Sequence, residues 1–387
     1  MSSGPTAGPS PVTTSPLSAL APHVDSGEIP ALVALVARGH EIHVEIRGRI
    51  APGGPPLERD AVFRISSMTK PAVAAAALLL VGDGLLDPDG SVEPLLPELA
   101  DRRVLRSLDA DLDDTVPAHR AITVRDLLTF RMGFGLILGP PGGHPVQRAL
   151  DALVLGQGRP GAEAPPEPDE WLRRFATLPL LHQPGERWAY GTSADVLGVL
   201  LARASGTSLP DLLHERVFAP LGMRDTGFHV PSSSLDRFVT MHLPGGEVSD
   251  DPATGAWSRP PTFPQGAGGL VSTVDDWFAF SEALRTGGLL PPGAVAEMTR
   301  DHLSPGQADG NFLSEGYGWG YGLAVRDDGR YGWDGGLGTS WATHPGTGVT
   351  GILLTQVEWT QGPPAVWSDF WGIVEGTCRS AGSPFVQ

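Results

Sequence analysis

Hydrophobic positions near both ends of the chain follow the two-residue period of β-strands. Residues 31–37 are an unbroken apolar run, and residues 41–46 alternate strictly between polar and apolar side chains, with Arg38-Gly39-His40 between the two runs. This pattern predicts an antiparallel hairpin. Near the other end we predict strands over residues 321–325, 331–333, 340–344 and 349–356, followed by a closing helix over 367–378. We therefore expect the two ends of the chain to build one sheet.

The middle of the chain carries helical signals instead. Residues 72–81 are ten consecutive apolar residues that end at Gly82-Asp83-Gly84, and a helix that is apolar on every side is a buried one. Residues 91–117 have no clear period, so we expect a connecting region with short helical turns. Capping residues and apolar spacing predict further helices over residues 16–24, 123–130, 170–176, 195–204, from 207 or 208 to about 218, and 275–284.

Residues 133–184 are rich in Gly and Pro but also carry large apolar side chains. A segment of this length with little regular structure is usually either functional or disordered. The apolar content favours a wall or partial lid over a cleft. We expect the apolar side chains of this segment to face a substrate pocket, and they are Phe134, Leu136, Ile137, Leu138, Trp171 and Phe175.

The chain divides into a short tail and one catalytic unit. Residues 1–14 are mostly Ser, Pro, Gly and Thr and have little to bury, so a disordered tail is predicted. Residues 15–387 are long enough, and at 41% hydrophobic apolar enough, for a large core. We place a sheet domain at about 15–85 and 235–387 and a helical domain at about 86–234.

The basic residues point to one position with distinct chemistry. The chain has 27 Lys and Arg side chains, and Lys70 is the single lysine among them. A lysine removed from water can lose its proton near neutral pH and act as a base, whereas arginine stays protonated. Ser67 lies three residues earlier, on the same face of a helix, so its hydroxyl is within reach of the Lys70 amine. The pair therefore has the spacing of a nucleophile and its base, although a serine also falls at that spacing by chance about once in fifteen cases.

Pro71 fits the same interpretation, because proline is tolerated in the first turn of a helix. Ser67 is thus expected at or beside a helix N-terminus, where backbone N–H groups and the positive end of the helix dipole lie. Tyr190 is a second candidate, since the other three tyrosines lie between residues 317 and 331. A phenol near an ammonium group ionises more easily and can share the work of a general base. The alternative for Tyr190 is an aromatic loop residue without a chemical role.

Charge and composition exclude several classes of function. A net charge of −17 argues against nucleic acid or an anionic membrane as a partner. The single cysteine, Cys378, excludes an intrachain disulfide and a cysteine-rich metal site. No Lys or Arg precedes Arg38, and the longest apolar run is too short to span a bilayer, so we expect a cytoplasmic protein.

Other catalytic signatures do not occur in the sequence. Neither a phosphate-binding glycine loop nor a His-Glu-x-x-His zinc motif is present, and we expect no metal and no cofactor. The Gly-x-Ser-x-Gly pattern of ordinary Ser-His-Asp hydrolases is also missing.

Six blocks in order give the chain a specific resemblance. It resembles the beta-lactamase-related serine hydrolases from about residue 20 to the end, and within them most closely the family VIII carboxylesterases. The blocks are Ser67-Met-Thr-Lys70, Ile122-Thr-Val-Arg-Asp-Leu-Leu-Thr129, Leu178-Pro-Leu with Pro184-Gly185, Tyr190 before Asp195-Val-Leu-Gly198, Gly268-Gly-Leu-Val-Ser-Thr273, and Trp333-Asp-Gly-Gly336.

The resemblance implies an α/β (α+β) fold of the beta-lactamase/transpeptidase type. In that fold a central antiparallel sheet is flanked by helices, a helical domain packs beside it, and the active site lies in the cleft between them. Ser67 is implied to be the acylated nucleophile, with Lys70 and Tyr190 as the coupled base and acid. The backbone N–H groups of Ser67 and Gly336 are implied to form the oxyanion hole.

The resemblance also implies where substrate binds. Trp333 is expected to line the acyl or alcohol pocket, with its motif neighbours Asp334 and Gly335 beside it. Thr192 belongs to the second motif, and Phe134 to the apolar segment described above. We predict that all five contact the substrate.

Two departures from the lactamase pattern decide the predicted substrate. Thr192 stands where lactamases carry Asn, and Trp333 stands where lactamases and D,D-peptidases carry Lys or His. Both changes weaken recognition of anionic amides and leave acyl transfer intact. We therefore predict a serine carboxylesterase that acts on small acyl substrates, with an acyltransferase on the same fold as the alternative. A beta-lactamase or D,D-peptidase and a catalytically silent binding protein fit the residues less well.

Overall fold

A seven-stranded antiparallel sheet joins the two ends of the chain, with the strand order β2-β1-β13-β12-β11-β10-β9. A computed structural model describes residues 15–156, 164–311, 313, 316–360 and 362–382, so the predicted disordered tail lies outside the described residues. The strands are β1 (Ala31–Arg38), β2 (Glu41–Gly48), β3 (Phe63–Arg64), β4 (Arg103–Leu105), β5 (Thr115–Pro117), β6 (Met241–His242), β7 (Val248–Asp250), β8 (Val271–Ser272), β9 (Tyr317–Trp319), β10 (Ala324–Arg326), β11 (Tyr331–Gly335), β12 (Thr339–His344) and β13 (Val349–Thr355).

Strand β1 lies inside the sheet and is covered on both faces. It pairs with β2 on one side and with β13 on the other, where Leu35 lies opposite Ile352. Leu35 and its alternate neighbours pack into the main core, whereas Leu32, Ala34 and Val36 pack into a second core against the closing helix. Burial on both faces explains why the β1 sequence is continuously apolar. The predicted hairpin and the antiparallel sheet are confirmed.

Helices fill the middle of the chain and cover both faces of the sheet. They are α1 (Ala21–Asp25), α2 (Thr69–Gly82), α3 (Val124–Leu128), α4 (Pro145–Ala152), α5 (Pro168–Ala176), α6 (Thr192–Ser205), α7 (Leu209–Leu213), α8 (Ala219–Leu221), α9 (Val274–Thr286), α10 (Ala294–Met298) and α11 (Ala365–Gly382).

Helix α2 is the buried helix that the apolar run predicts. Every residue from Thr69 to Leu78 is buried, and α2 packs against α6. The predicted capping residues of α3, α7 and α9 also act as caps, because the side chains of Thr123, Ser208 and Thr273 each accept a hydrogen bond from a backbone N–H in the first turn.

Three secondary-structure predictions need correction. Residues 91–117 contain the short antiparallel hairpin β4–β5. Its strands have three residues each, which is too short for a two-residue hydrophobic period to be recognised in the sequence. The described residues of the segment 133–184 hold two helices rather than one, because α4 begins at Pro145 and buries Val146 and Leu150. Strand β10 begins three residues later than predicted, since Gly322 adopts a φ of +69°, and it pairs with the unpredicted strand β9.

Three aromatic side chains of this segment do not face a substrate pocket, contrary to the prediction. Phe134, Trp171 and Phe175 are each at most 2% exposed and belong to the main core. Phe134 packs edge-on against Phe175 with ring centroids 5.1 Å apart, and Phe175 stacks on Trp171 at 5.4 Å. The apolar content of the segment is therefore largely core, and the prediction that Phe134 contacts substrate is wrong.

No single helix in the described part of the chain is both long and apolar enough to cross a membrane. One pair, Thr192–Ser205 with Leu209–Leu221, reaches that threshold only when its two halves are taken together, and they are bent by 81°. The proposed bounds of the sheet and helical domains stay predictions.

Candidate active site

Ser67 lies in a 3₁₀ turn, Ser66–Met68, directly before α2. Ser66 has a φ of +47°, a strained conformation for a residue with a side chain. Neighbouring groups hold this turn. The Thr69 hydroxyl donates to the Ser66 carbonyl oxygen at 2.6 Å, and the Leu270 N–H donates to Thr69 Oγ1 at 3.0 Å. Strain that is fixed by its surroundings in this way is typical of functional sites.

Lys70 points its amine at the Ser67 hydroxyl. The distance from Lys70 Nζ to Ser67 Oγ is 2.8 Å, and Nζ also donates to the carbonyl oxygen of Ala267. Lys70 is only 2% exposed. Burial lowers the pKa of Lys70 to about 7, because a charged ammonium loses its hydration there, and the nearby Asp195 carboxylate opposes part of that shift.

Asp195 is a site residue that sequence reasoning did not single out. It lies in the first turn of α6, and its Oδ1 accepts a hydrogen bond from the Ala267 N–H at 2.9 Å. The peptide groups on the two sides of Ala267 thus connect the Lys70 amine with the Asp195 carboxylate. Burial raises the pKa of Asp195 to about 6, against the opposing effects of this hydrogen bond and of Lys70. Its signals in the sequence are its place in the block that follows Tyr190 and its position as an acidic residue within the apolar stretch 194–202.

Tyr190 completes the group around Ser67 and lies inside a cluster of aromatic rings. A side-chain hydrogen bond joins Tyr190 and Ser67, and the Tyr190 ring centroid lies 4.4 Å from Lys70 Nζ. The rings of Phe130, Trp188, Trp319 and Trp333 lie 5.7 to 6.1 Å from the Tyr190 ring. Burial among these rings raises the pKa of Tyr190, so the phenol stays protonated near neutral pH, contrary to the easier ionisation expected from its neighbour Lys70.

The backbone of Tyr190 is placed by neighbouring turns. Gly191 follows it with a φ of +96°, a conformation that favours glycine and lets the chain turn directly into α6. On the other side, the Ala189 N–H donates to the Phe130 carbonyl and the Leu136 N–H donates to the Tyr190 carbonyl. The start of the segment 133–184 is therefore attached to the Tyr190 motif.

A cavity of about 310 Å³ opens at Ser67. Lys70, Tyr190, Thr192 and Asp195 line it on the reactive side. Its remaining wall is mixed. It includes the apolar side chains of Leu136, Trp257 and Leu337 and the polar side chains of Ser66, Gln265 and Glu358. Such a mixture suits a small organic molecule that is held by a few polar contacts.

The end of strand β11 lies against the Ser67 turn. Gly335 is buried there, and a Cβ atom at this position would lie 2.4 Å from the Ile65 carbonyl oxygen, so only glycine fits. The Thr339 hydroxyl donates to the same carbonyl oxygen at 3.0 Å. Gly336, the next residue, is exposed and lines the cavity together with Ser67.

The five residues predicted to contact the substrate do not all line the Ser67 cavity. Thr192 lines the cavity, whereas Trp333 lies behind Tyr190 and donates its indole N–H to the Tyr190 hydroxyl at 2.6 Å. Asp334 and Gly335 do not face the cavity, which corrects the prediction. Successive strand residues point to opposite faces, so Asp334 faces α11, where it accepts hydrogen bonds from Ser340 and from Trp367.

Within the described parts of the chain, no three His, Cys, Asp or Glu side chains are placed together to hold a metal ion. The site itself brings together the Ser67 hydroxyl, an amine with a lowered pKa and a protonated phenol.

Comparison with known proteins agrees with this geometry. A beta-lactamase family profile matches residues 18–367. Esterase EstB of Burkholderia gladioli is 33% identical over 84% of this chain and 86% of its own. The solved structure of EstCE1, a hydrolase with promiscuous acyltransferase activity, aligns with a TM-score of 0.78 at 26% identity over 93% of this chain and 97% of that one.

A third relative is a synthase. The LovD6 mutant of simvastatin synthase from Aspergillus terreus aligns with a TM-score of 0.76 at 25% identity and covers 96% of both chains. These matches confirm the resemblance and the fold class inferred from the sequence. The chain belongs to the beta-lactamase family, among its serine hydrolases and acyltransferases.

Proposed function

We propose that this protein is a serine carboxylesterase that forms an acyl-enzyme on Ser67. The observation that carries the proposal is the contact of Ser67 Oγ with Lys70 Nζ at 2.8 Å, at a lysine whose pKa burial has brought close to neutral. A base with a pKa near the working pH is the most effective proton acceptor. EstB and EstCE1 are named as an esterase and a hydrolase, which supports the same activity here.

The reaction follows from the positions of the groups. Neutral Lys70 takes the proton of the Ser67 hydroxyl as Oγ attacks the ester carbonyl. The backbone N–H groups of Ser67 and Gly336 stabilise the oxyanion, a contribution typically worth about 100- to 1000-fold in rate for each donor. Tyr190, which stays protonated, passes a proton to the departing alkoxide and regains one from Lys70. Water then attacks the acyl-enzyme in place of the alcohol, the proton transfers run in the opposite order, and the acid is released as Ser67 Oγ regains its proton.

Trp333 and Asp195 act on these groups rather than on the substrate. The Trp333 indole N–H fixes the Tyr190 hydroxyl, and the Asp195 carboxylate favours the protonated form of Lys70. Thr192 borders the cavity and is proposed to contact the substrate. We also propose that the protein works in the cytoplasm on small acyl substrates, without nucleic acid, membrane, metal or cofactor.

Ser67→Ala tests the proposal. We expect the variant to lose ester hydrolysis by about a million-fold and to lose covalent labelling by a fluorophosphonate, because the nucleophile is gone. Ser233→Ala, at an exposed serine outside the site, is the control and should be labelled like the unmodified protein. Labelling that persists in Ser67→Ala would place the nucleophile elsewhere.

Acyl transfer to an alcohol is the second candidate. It is favoured by the likeness to EstCE1, which is named as a hydrolase with promiscuous acyltransferase activity. Adding small alcohols to a turnover assay separates the two candidates. A hydrolase keeps producing acid, whereas an acyltransferase diverts product to the new ester.

A further inference from the structure

Gln265 is a buried polar side chain on the wall of the Ser67 cavity. The residue is 8% exposed. A polar side chain that is largely buried beside an open cavity can hydrogen-bond a molecule that enters the cavity. Here the amide borders the space in which a substrate would lie.

The turn that positions Lys70 also fixes Gln265. The Gln265 carbonyl oxygen accepts hydrogen bonds from the N–H groups of Gly268 at 3.3 Å and Gly269 at 2.9 Å. Ala267, inside the same turn, contacts both Lys70 and Asp195. Because the backbone is held at these points, the Gln265 side chain leaves the turn at a fixed place relative to the reactive groups.

A second cavity of about 150 Å³ lies on the other side of Gln265. Gln265 and Trp257 line both cavities, so these two side chains separate them. Trp257 is held in place, since its indole N–H donates to the Gly269 carbonyl at 2.8 Å. The wall of the second cavity is mixed. Phe228, Phe263, Pro260 and Pro261 give it apolar surface, and Arg259 and Thr262 add polar groups.

We propose that Gln265 is a specificity-determining residue, whose carboxamide hydrogen-bonds a hydroxyl or carbonyl group of the ester while the apolar remainder of the substrate occupies the second cavity. The inference deepens the proposed esterase function and rests on it. The substrate class is an ester with a second oxygen function between its reactive carbonyl and an apolar end. A carboxamide both donates and accepts, so it recognises either kind of oxygen group.

The first experiment compares esters that differ in one oxygen. We would measure kcat and KM for nitrophenyl butyrate and nitrophenyl 3-hydroxybutyrate, and for a second pair with the hydroxyl on the alcohol part. The unmodified protein should favour the hydroxylated member of at least one pair by about tenfold or more, because a site built for a hydrogen bond discriminates against the analogue that lacks it.

Gln265→Met keeps the side-chain length and removes the hydrogen-bonding groups. In this variant, the kcat/KM values of the two esters in the preferred pair should differ by no more than about twofold. Gln265→Asn keeps the amide and should retain part of the preference for the hydroxylated ester. A preference that is absent in the unmodified protein, or unchanged in Gln265→Met, overturns the inference. Failure of the proposed function is distinguishable, because it would appear as no ester turnover and no fluorophosphonate labelling at all.

The second experiment fills the second cavity. Thr262 is exposed and borders it, so Thr262→Trp should block it without disturbing the core. We expect kcat/KM for hydroxylated esters with long apolar ends to fall at least about fivefold relative to short ones. Ser233→Trp, at an exposed site that borders neither cavity, is the matched control. An unchanged long-to-short ratio in Thr262→Trp overturns the placement of the apolar end.

Discussion

The charge state of Lys70 controls what the proposed site can do. Lys70 must be neutral to accept the Ser67 proton, and burial lowers its pKa to about 7. We therefore expect kcat/KM to fall as the pH is lowered through about 7, when the amine becomes protonated. A rate profile that stays flat between pH 6 and 8 contradicts Lys70 as the base.

Lys70→Arg isolates the proton transfer from the charge. The guanidinium keeps a positive charge but cannot accept a proton at accessible pH. We expect kcat/KM to fall by about 100- to 10,000-fold, the range typical of a missing general base. A variant that keeps more than about a tenth of the unmodified activity would show that another group accepts the proton.

Asp195→Asn tests how the carboxylate acts on Lys70. Asp195 raises the pKa of Lys70 by attraction, so its removal lowers that pKa further. Lys70 then stays neutral at lower pH, and the acidic limb of the kcat/KM profile should move down by roughly half a pH unit or more. The Asn side-chain oxygen can still accept the Ala267 N–H. A limb that moves upward, or a loss of activity without any shift, contradicts this role.

The contact of Ser67 with Lys70 could be predicted from the sequence because its signals are local, whereas the place of Tyr190 beside Ser67 was implied only by the family resemblance. A lone lysine, a serine at helical spacing and a buried helix lie within one stretch of residues 67–82. Asp195 had no comparable signal, since it approaches Lys70 only because α6 packs against α2. Asp334 was misassigned because proximity in a motif does not tell which face of a strand a side chain occupies.

At the scale of elements, the turn over residues 264–269 organises the site. It carries Gln265 at its start, supplies the Ala267 contacts of Lys70 and Asp195, and leads into β8. Strand β8 pairs with β3, which precedes the Ser67 turn. A short two-stranded sheet therefore holds Ser67 and the turn next to each other.

The segment 133–184 approaches the cavity through Leu136 rather than through its aromatic residues. Leu136 lines the cavity and is 38% exposed, whereas Leu138 is 46% exposed and does not line it. The remaining idea, that this segment forms a partial lid and sets substrate size, stays a prediction.

Leu136→Ala should change the preference between short and long acyl esters, because it removes apolar surface from the cavity wall and leaves the Leu136 N–H bond to Tyr190 in place. We expect the long-to-short ratio of kcat/KM to shift by about threefold or more. Leu138→Ala is the matched control and should leave the ratio unchanged. If kcat/KM depends on acyl length in the same way in both variants, the segment does not set substrate size.

Element boundaries were predictable where propensity and burial agree. The hairpin β1–β2, helix α2 and the caps of α3 and α9 follow from local patterns. The β4–β5 hairpin and β9 did not, because strands of three residues are selected by tertiary pairing rather than by their own sequence. The aromatic residues of α5 gave a misleading signal, since core and pocket side chains are equally apolar.

At the scale of the whole molecule, charge disfavours anionic substrates. The chain carries a net charge of −17, and Glu358 and Asp195 line the cavity. No arginine is among the described residues of the cavity wall, so a substrate carboxylate finds no cationic partner there except Lys70. Placing like charges together costs several kcal/mol in a binding site.

Beta-lactam hydrolysis should therefore be weak beside ester hydrolysis. We expect kcat/KM for a chromogenic cephalosporin to lie at least about 100-fold below that for a short nitrophenyl ester. Glu358→Gln should reduce the ratio of kcat/KM for the ester to kcat/KM for the cephalosporin. Glu215→Gln, at an exposed position that does not line the cavity, should leave this ratio unchanged. A cephalosporin that reacts faster than the ester would overturn the esterase assignment.

The pairing of the two chain ends sets the order in which the ribosome delivers the parts of this site. Ser67 and Lys70 are synthesised early, but the Ala267 carbonyl that binds Lys70 follows 197 residues later. The Thr339 hydroxyl that holds the Ile65 carbonyl is 274 residues further along than Ile65, and β13, the inner partner of β1, comes later still. A nascent chain thus carries Ser67 and Lys70 long before the groups that orient and desolvate them. The proposed activity therefore depends on contacts that form only after most of the polypeptide has been synthesised.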